Sequence, residues 1–445
     1  MKVLAKWIFT IAMVLSSTLT SSMGTCEATV NEENRDIKNI IFLIGDGMGV
    51  SFTSGYRYFK DDPATLELES TEFGPYLVGQ QTTYPNDPRH NVTDSAASAT
   101  AMATGVKTYN GAIGIGNDHS KLKSVLERAK EKGKGTGLVA TAQITHGTPA
   151  AFGAHVSQRK SMSAIADDYF QDLVNGRHKI DVLLGGGSDW FIRKDRNLVK
   201  EFQKDGYSYV TSLNELKNDE SAQVVGLFAK RGLPKMIDRP SNVPSLADMT
   251  TSAIERLNKY NTGFFLMVEG SQIDWAAHDN DIVGVMSEME DFEKAYKVAV
   301  DFAKKDGHTL VIATADHSTG GFTIGAQGQY NWFSSVIKAV KRTPNYMAAK
   351  IVNGAGVKET LTKYIDLPLT KDEINLVERA ARTQNVKNID NTIEEVINLR
   401  TLTGWTTRGH TGEDVNVYAF GPGSERFKGQ IDNTDHAKII FDILK

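Results

Sequence analysis

The chain has 445 residues, which is long enough for one large α/β domain with insertions or for two to three smaller domains. Hydrophobic residues make up 40% and charged residues 23%, values that exclude long disorder, collagen-like repeats and a multi-span membrane architecture. Lys and Arg total 50 against 54 Asp and Glu, so the net charge of −4 lacks the basic excess typical of nucleic-acid binding, and the single cysteine excludes an intrachain disulfide.

The first residues have the order of a secretory signal peptide. Lys2 and Lys6 precede an apolar run at 7–15, and small polar residues follow as far as Gly24. The apolar run is shorter than the ~20 residues needed to span a bilayer. An exposed amphipathic helix is the alternative, but no charged face interrupts the run. We therefore expect residues 1–28 to be a signal peptide and the protein to be exported, to the periplasm or the medium, without stable membrane association after cleavage.

Further along the chain, short apolar runs alternate with amphipathic helical patterns, which is typical of a parallel sheet covered by helices on both faces. The predicted strands are 39–44, 137–142, 181–184, 223–228, 264–268, 309–313 and 416–420. The predicted helices include 122–131, 162–173, 247–259, 282–304 and 333–339. The stretch 353–399 breaks this alternation, and a capping box at Thr370 and Glu373 indicates a helical insertion there. The expected fold class is α/β, with helices on both sides of the sheet.

Acidic residues follow three of the predicted strands. Asp46 lies in a glycine-flanked loop after the first, Glu269 follows the strand at 264–268, and Asp316 precedes His317 just beyond the strand at 309–313. Each alone is as well explained by a tight turn, because Asp and Gly are ordinary turn residues. Open α/β sheets bind ligands at the carboxyl ends of their strands. Three such endings at one edge therefore favour a ligand or metal site.

Further metal-binding side chains lie nearby in the sequence. Asp274 and His278 are spaced i and i+4, so on a helix both would project to the same side and could bind one cation. Such a pair is more often a surface contact, but its position shortly after Glu269 favours a metal. His410, in a glycine-rich loop, offers another nitrogen. Mixed histidine and carboxylate sets suit Zn²⁺ and all-oxygen sets suit Mg²⁺, and both remain open.

The segment 93–105 is rich in small residues. Asp94 or Ser95 could begin a helix there and Gly105 could end it. A serine at such an N-terminus is ordinarily a cap, although the helix dipole and an adjacent metal would also stabilise its anionic form. No Gly-x-Ser-x-Gly sequence surrounds Ser95, so an esterase-type serine is not indicated.

The residues Asp94 to Ala101, followed by those at 105–111, closely resemble the nucleophile segment of the alkaline phosphatases. The resemblance continues in order over nearly the whole chain beyond the signal peptide, through Asp46 and the segments 146–150, 157–160, 268–270, 274–278, 315–318 and 409–412. It implies that residues 29–445 form an alkaline phosphatase catalytic domain, a three-layer α/β/α sandwich with a central, mostly parallel sheet. The insertion around 353–399 then corresponds in position to the variable crown region of the family.

The resemblance also implies an activity and roles for individual residues. The activity is metal-dependent hydrolysis of phosphate monoesters at alkaline pH, with Ser95 forming a phosphoserine intermediate and Arg159 clamping two phosphate oxygens. The implied cofactors are two Zn²⁺ and one Mg²⁺ per subunit. Their implied ligands are Asp274, His278 and His410 for one zinc, Asp46, Asp316 and His317 for the other, and Asp46, Thr148 and Glu269 for magnesium.

Two positions depart from the best-known bacterial pattern of the family. His146 stands where that pattern has an aspartate, and Trp275 where it has a lysine. Together they resemble cold-adapted bacterial members, and the low proline count of 11 agrees with such a chain. His146 would open the third metal site to Zn²⁺ or Co²⁺. Trp275 either removes a positive charge from phosphate recognition or simply packs against the rim of the site.

Three other functions are alternatives to phosphomonoester hydrolysis on a fold of this kind. A sulfatase needs x-Pro-x-Arg after its nucleophile, whereas Ala96, Ala97 and Ser98 follow Ser95. A phosphodiesterase is the enzymatic alternative. A non-catalytic phosphate- or metal-binding protein is the other, although it would have no use for Ser95 and Arg159. Because the crown region contributes to dimer contacts in members of the family, we expect a homodimer that acts on phosphate monoesters and has no nucleic-acid-binding role.

Overall fold

The computed structural model describes residues 36–62 and 64–445. The predicted signal peptide, residues 1–28, lies outside these described residues. The strands, in chain order, are β1 (Asn39–Gly45), β2 (Leu77–Thr82), β3 (Gly135–Gln143), β4 (Leu173–Val174), β5 (Arg177–His178), β6 (Val182–Gly186), β7 (Ser208–Val210), β8 (Val224–Leu227), β9 (Phe264–Gly270), β10 (Thr309–Ala315), β11 (Ser318–Thr319), β12 (Thr323–Ile324), β13 (Thr403–Gly404), β14 (His410–Thr411), β15 (Val415–Phe420) and β16 (Gly429–Asp432).

The α-helices, in chain order, are α1 (Val50–Lys60), α2 (Ser95–Thr104), α3 (Val125–Glu131), α4 (Gly147–Gly153), α5 (Met162–Gln171), α6 (Ser188–Phe191), α7 (Leu198–Lys204), α8 (Leu213–Asn218), α9 (Leu246–Leu257), α10 (Gln272–Asp279), α11 (Ile282–Asp306), α12 (Ser334–Lys338), α13 (Pro344–Val352), α14 (Val357–Tyr364), α15 (Lys371–Ala381), α16 (Val386–Thr401) and α17 (Asn433–Ile443). Short 3₁₀ helices occupy Gly74–Tyr76, Met236–Asp238 and Ser424–Phe427. No helix within the described ranges combines the length and apolar character needed to cross a bilayer.

A large sheet forms the centre of the protein. Its ten strands follow the order β16-β2-β15-β10-β1-β9-β3-β6-β8-β7. β1 is parallel to both of its neighbours, β10 and β9, whereas β15 runs antiparallel to β10 and to β2. The mostly parallel sheet predicted from the sequence is therefore confirmed.

Helices cover both faces of this sheet. In β1, Ile41 and Leu43 belong to one buried apolar cluster, together with side chains of α1, α9, α10 and α11. The alternating residues Ile40, Phe42 and Ile44 belong to a second cluster with side chains of α2, α3, α4, α5 and α17. Because successive side chains of a strand point to opposite faces, the two clusters are the two interfaces of a three-layer α/β/α sandwich, as predicted.

The predicted insertion around 353–399 is helical. It lies within a run of four helices, α13 to α16, which extends from Pro344 to Thr401 and packs against α11 and α12. Helix α13 was not predicted, although Thr343 and Pro344 form a clear helix start: the Thr343 side chain accepts a hydrogen bond from the Tyr346 amide. The capping box of Thr370 and Glu373 is present at the start of α15.

Candidate active site

The carboxyl ends of three neighbouring strands bring acidic residues together. β1 lies between β10 and β9, and the last residues of the three strands lie side by side. Asp46 directly follows β1, Asp316 directly follows β10, and Glu269 is the penultimate residue of β9. All three side chains are fully buried. The edge of the sheet that the sequence indicated thus carries three acidic groups close to one another.

The serine of the small-residue segment faces these acids. α2 begins at Ser95, directly after Asp94, whose side chain caps the helix, and it ends at Gly105 in the left-handed conformation with φ 77°. The Ser95 Oγ lies 3.4 Å from Asp46 Oδ1 and 3.2 Å from His317 Nε2. Its hydroxyl therefore sits at a helix N-terminus and among the groups at the ends of the strands, where an anionic oxygen would be stabilised.

Asp274, His278 and His410 converge as one group. The i, i+4 pair lies on α10, where His278 Nε2 is 3.4 Å from Asp274 Oδ2. His410 Nε2 is 3.1 Å from His278 Nε2 and 3.7 Å from Asp274 Oδ1. The Nδ1 atoms of the two histidines lie 2.5 Å from the Arg408 carbonyl and 2.8 Å from the Thr93 carbonyl. These hydrogen bonds fix both rings and direct each Nε2 into the group, an arrangement typical of metal-ligating histidines.

A second group consists of Asp46, Asp316 and His317, which can each place one donor atom within 4.8 Å of the others. His317 Nε2 is 3.5 Å from Asp46 Oδ1 and 3.2 Å from Asp316 Oδ2. The His317 ring also stacks on that of His410 at 3.6 Å between centroids, so the first two groups adjoin. The Oδ2 atoms of both aspartates are buried and have no hydrogen-bond partner among the described residues.

The third group combines Asp46 and Glu269 with His146, again with donor atoms within 4.8 Å of one another. Thr148 is fully buried in α4, the helix that His146 precedes. Within the described part of the chain, both carboxylate oxygens of Glu269, the Thr148 hydroxyl and His146 Nδ1 lack hydrogen-bond partners. Buried polar atoms are rarely left unpaired because desolvation is costly. Their chemistry here, oxygen and imidazole nitrogen, fits metal ligation.

The electrostatics of the carboxylates also fit bound cations. Burial, together with the charges of Asp316 and Asp274, raises the pKa of Asp46 well above its usual value. Burial likewise raises the pKa of Glu269 to about 7 and that of Asp316 to about 6, and neighbouring carboxylates add to both shifts. The site therefore concentrates more negative charge than its own side chains neutralise, and a positive ion would compensate it.

The histidines of the site differ in their protonation. Burial lowers the pKa of His317 and His410 to about 4 and that of His146 to about 3, which leaves these rings neutral, the form that ligates metals. For His278 burial is outweighed by the hydrogen bond and charge of Asp274, which raise its pKa to about 9. Burial would raise the pKa of Asp274, but the hydrogen bond to His278 and the neighbouring histidines hold it well below its usual range.

Arg159 reaches the site from the loop before α5. Its Nη1 donates to Asp94 Oδ2 at 2.9 Å, and its Nη2 lies 3.2 Å from His146 Nε2. A guanidinium has five N–H groups in a rigid fork, so these two contacts orient the group and leave other donors for a ligand. Asp94 therefore has two tasks, because it caps the helix that carries Ser95 and positions the arginine.

Trp275 packs against the rim of the site. Its ring meets that of His146 edge to face, with 5.6 Å between centroids and 81° between planes. On another side a Cβ atom at Gly232 would lie 2.5 Å from the Trp275 ring, so only glycine fits there. The indole thus supports His146 directly, which agrees with the packing interpretation. The effect on phosphate affinity stays a prediction.

Gly47 allows the loop after β1 to approach the other ligands closely. Its φ is +70°, and a Cβ atom there would lie 2.7 Å from Thr319 Oγ1 and 2.9 Å from Asp274 Oδ1. Its amide donates to Asp316 Oδ1 at 3.0 Å. Any side chain at this position would therefore be strained and would displace Asp274, a member of the first cluster, together with Thr319.

Sequence reasoning missed several residues that support the site. Thr319 Oγ1 donates to Asp274 Oδ1 at 2.6 Å and lies 3.3 Å from His317 Nδ1. Arg408 supplies the carbonyl that orients His278. Asp94 was recognised only as a helix start. Thr319 and Arg408 directly adjoin the runs 315–318 and 409–412, which were singled out for their histidines, but nothing in the spacing identifies these two residues as hydrogen-bond partners.

Comparisons with known proteins point to one family. The sequence model of the family described as "Alkaline phosphatase" matches residues 37–445. The chain is 64% identical to "Alkaline phosphatase 3" of Bacillus subtilis over 97% of its own length and 96% of that protein. It is 57% identical to "Alkaline phosphatase 4" of the same organism, covering 93% and 90% of the two chains. A crystal structure of a cold-active alkaline phosphatase from a psychrophilic Shewanella sp. aligns with a TM-score of 0.87 and 39% identity, over 92% of this chain and 100% of that one.

Proposed function

Because the chain belongs to the alkaline phosphatase family and hydrolyses phosphate monoesters, we propose that Ser95 is the nucleophile of this reaction and is transiently phosphorylated. The observation that carries the assignment is the position of the Ser95 Oγ, which lies 3.2 Å from His317 Nε2 and 3.4 Å from Asp46 Oδ1 at the start of α2. The hydroxyl thus lies between the helix N-terminus and two residues of the acidic and histidine groups, His317 and Asp46, of which Asp46 belongs to both the second and the third group.

The reaction is metal-dependent in this family, and the residues present fit the ions. We propose that one Zn²⁺ is held by Asp274, His278 and His410, and a second by Asp46, Asp316 and His317. The unpaired buried oxygens and the raised pKa values of Asp46 and Asp316 support the second set, and the convergence of the two histidine Nε2 atoms on Asp274 supports the first. When bound, the metal ions supply the positive charge that stabilises the oxygen atoms of the transferring phosphoryl group.

The third ion of the proposal is held by Asp46, Thr148 and Glu269. Mg²⁺ is the expected occupant because these ligands are oxygens. His146, however, belongs to the same group, and its buried Nδ1 has no hydrogen-bond partner in the part of the chain that the structure covers. An imidazole ligand would favour Zn²⁺ or Co²⁺ at this position. Quantifying the metals in the purified protein would decide whether the third site holds Mg²⁺, beside two Zn²⁺ in the other sites, or holds Zn²⁺ or Co²⁺ instead.

The protein's own groups act in two displacements at phosphorus. In the first, the Ser95 Oγ attacks the phosphorus atom while the bond to the alcohol oxygen breaks, and the N-terminus of α2 stabilises the serine oxyanion. Arg159 holds two non-bridging oxygens and is itself held by Asp94. In the second, water attacks the phosphoserine, the Ser95 oxygen leaves, and inorganic phosphate is released. Each displacement inverts phosphorus, so the overall configuration is retained.

The decisive experiment compares Ser95→Ala with Ser335→Ala, which removes the hydroxyl of an exposed serine near the start of α12. With a simple aryl phosphomonoester at alkaline pH, we expect the first variant to lose at least about 10³-fold in kcat and the second to retain full activity. Acid quenching with ³²P-labelled substrate should trap label on the wild type and not on Ser95→Ala. Equal labelling of both would contradict the assignment.

Chelation and ester specificity complete the test. We expect chelation to abolish turnover and Zn²⁺ together with Mg²⁺ to restore it, with Co²⁺ as the added comparison for the third site. Turnover of a diester that exceeds that of the monoester would favour the phosphodiesterase alternative. A fully metallated chain without either activity would favour a binding protein.

Export and assembly belong to the same proposal. The charge and hydropathy order of residues 1–28 supports a cleaved signal peptide and a periplasmic or secreted enzyme. N-terminal sequencing of the protein recovered outside the cytoplasm would test it. The helical insertion around residues 353–399, which corresponds in position to the crown region that contributes to dimer contacts in the family, supports a homodimer. Light scattering of the purified protein should give twice the chain mass.

A further inference from the structure

A second group of acidic side chains lies outside the candidate active site, where α16 of the helical insertion meets the end of α10. Asp279, Asp390 and Glu394 can each place one carboxylate oxygen within 4.8 Å of the others. The last two are buried, with 1% and 2% of their surface exposed. Asp281, two residues beyond α10, is buried beside them and shares the Lys235 ammonium group with Asp279.

Cationic side chains neutralise this group incompletely. The four carboxylates are contacted by three cations, Lys235, Lys387 and Arg408. Lys387 Nζ lies 2.6 Å from Asp279 Oδ1 and 3.3 Å from Asp390 Oδ2, and Arg408 Nη2 lies 3.1 Å from Glu394 Oε2. If all four carboxyl groups were ionised, they would carry one negative charge more than these cations neutralise, in a region largely withdrawn from water.

The unneutralised charge coincides with two unpaired oxygens. Asp390 Oδ1 and Glu394 Oε1 are buried and have no hydrogen-bond partner within residues 36–62 and 64–445. Burial, with the charges of Asp390 and Asp281, raises the pKa of Glu394 to about 8. The cluster of Glu127, His155 and Asp172 is a useful contrast, since none of its buried polar atoms lacks a partner among the described residues. Of these two groups outside the candidate active site, the α16 group is therefore the one that presents unused ligand atoms among the described residues.

We propose that Asp390, Glu394 and Asp279 form a calcium site that joins the helical insertion to the end of α10. Carboxylate oxygens are hard ligands, and Ca²⁺ accepts six to eight of them, waters included, in irregular geometry at 2.3–2.6 Å. Mg²⁺ demands near-octahedral geometry and dehydrates reluctantly, so a crowded group with two lysines at its edge suits it poorly. The bound Ca²⁺ provides the positive charge that the three cationic side chains do not.

The position of this site connects it with the proposed zinc ligands. Arg408, whose guanidinium holds Glu394, also donates to the Asp279 carbonyl at 2.5 Å. Its own carbonyl accepts the hydrogen bond that orients His278. Ca²⁺ would therefore fix the end of α10 and the loop carrying Arg408 at the same time. The site does not depend on the reaction at Ser95, so the two proposals can fail separately.

The test is calcium binding by the full enzyme loaded with Zn²⁺ and kept in 1 mM Mg²⁺, which occupies the magnesium-type site. Isothermal titration with CaCl₂ should show one saturable Ca²⁺ per chain, and saturating Ca²⁺ should raise the unfolding temperature by about 3 °C. The variant Glu394→Gln should lose at least about 10-fold in Ca²⁺ affinity. The matched control Glu395→Gln changes the exposed neighbour on the same helix and should bind as the wild type does.

The outcomes separate the site from its alternative. If the wild type binds no Ca²⁺ under these conditions, or if Glu394→Gln binds it undiminished, the proposal is overturned and the cluster instead holds a proton between its carboxyl groups. Should Glu394→Gln fail to fold, Asp390→Asn serves the same purpose, and the wild-type titration remains decisive alone.

Discussion

The loss of folding stability at acid pH should depend on one buried histidine of the C-terminal helix. His436 in α17 is fully buried between the rings of Phe42 and Phe427, whose centroids lie 5.1 Å and 5.6 Å from its own. Its Nε2 is hydrogen bonded to the side-chain oxygen of Gln81, whose amide donates to the Ala315 carbonyl at 2.7 Å. Burial lowers the pKa of His436 to about 3, so the folded protein keeps this ring neutral.

The size of the effect follows from proton linkage. The unfolded chain protonates this histidine near pH 6.5, whereas the folded chain does so only near pH 3, so unfolding takes up a proton between these values. The free energy of unfolding therefore falls as the pH drops through about 6.5, and the loss is complete near pH 3. It amounts to about 2 kcal/mol at pH 5 relative to pH 8 and approaches about 5 kcal/mol below pH 3.

The variant His436→Gln isolates this contribution because glutamine can donate to Gln81 but does not titrate. Urea unfolding of metal-depleted wild type and variant at pH 8 and pH 5 gives the two free-energy differences, and terms shared by both proteins cancel. We expect the difference in the free energy of unfolding between wild type and variant to be about 2 kcal/mol less favourable to the wild type at pH 5 than at pH 8. His90→Gln, at an exposed histidine, should show no such change. An advantage that is the same at both pH values would refute the reasoning.

Three further expectations concern the site and the chain. Gly47→Ala should lower kcat at least about 10-fold because the new Cβ atom would lie 2.7 Å from Thr319 Oγ1. The control Gly206→Ala also places alanine at a positive φ, but its Cβ atom faces open space, so this variant should keep full activity. Equal losses of kcat in the two variants would mean that backbone strain, and not the contact with Thr319, causes the loss. Arg159→Lys should raise the inhibition constant of inorganic phosphate about 10-fold, and an equal change in Lys160→Ala would contradict the role of the fork. Thermal inactivation should occur below the temperature of ordinary mesophilic relatives, and a comparable midpoint would exclude cold adaptation.

The central strands could be predicted because the sheet is buried on both faces. Every residue of β1, β9 and β10 is buried, and each strand contains a continuous apolar stretch, IIFLI, FFLMV and LVIA respectively. β2 and β16 were missed because their sequences, LVGQQT and GQID, are polar; β16 forms one edge of the sheet and β2 lies next to it. The pairing of β2 with β15 and of β16 with β2, rather than their own hydropathy, makes them strands.

In the candidate active site, contacts between residues close in sequence could be predicted, whereas contacts between residues far apart in sequence could not. The i, i+4 relation of Asp274 and His278 needs only helical geometry, and it is present in α10. The contact between Arg159 and Asp94 joins residues 65 positions apart, and that between Arg408 and His278 joins residues 130 apart. Such partners depend on how the layers pack, so a single sequence contains no local signal for them.

Trp275 offers the sharpest test of how this site differs from the lysine-containing pattern. The indole packs edge to face on His146 and against the backbone at Gly232, and it brings no charge to the phosphate position. Trp275→Lys should therefore add a positive charge near bound phosphate and lower its inhibition constant several-fold, with slower product release and lower kcat. Trp275→Phe keeps an apolar ring without the charge. If Trp275→Phe tightened phosphate binding as much as Trp275→Lys does, packing on His146 rather than charge would control product release.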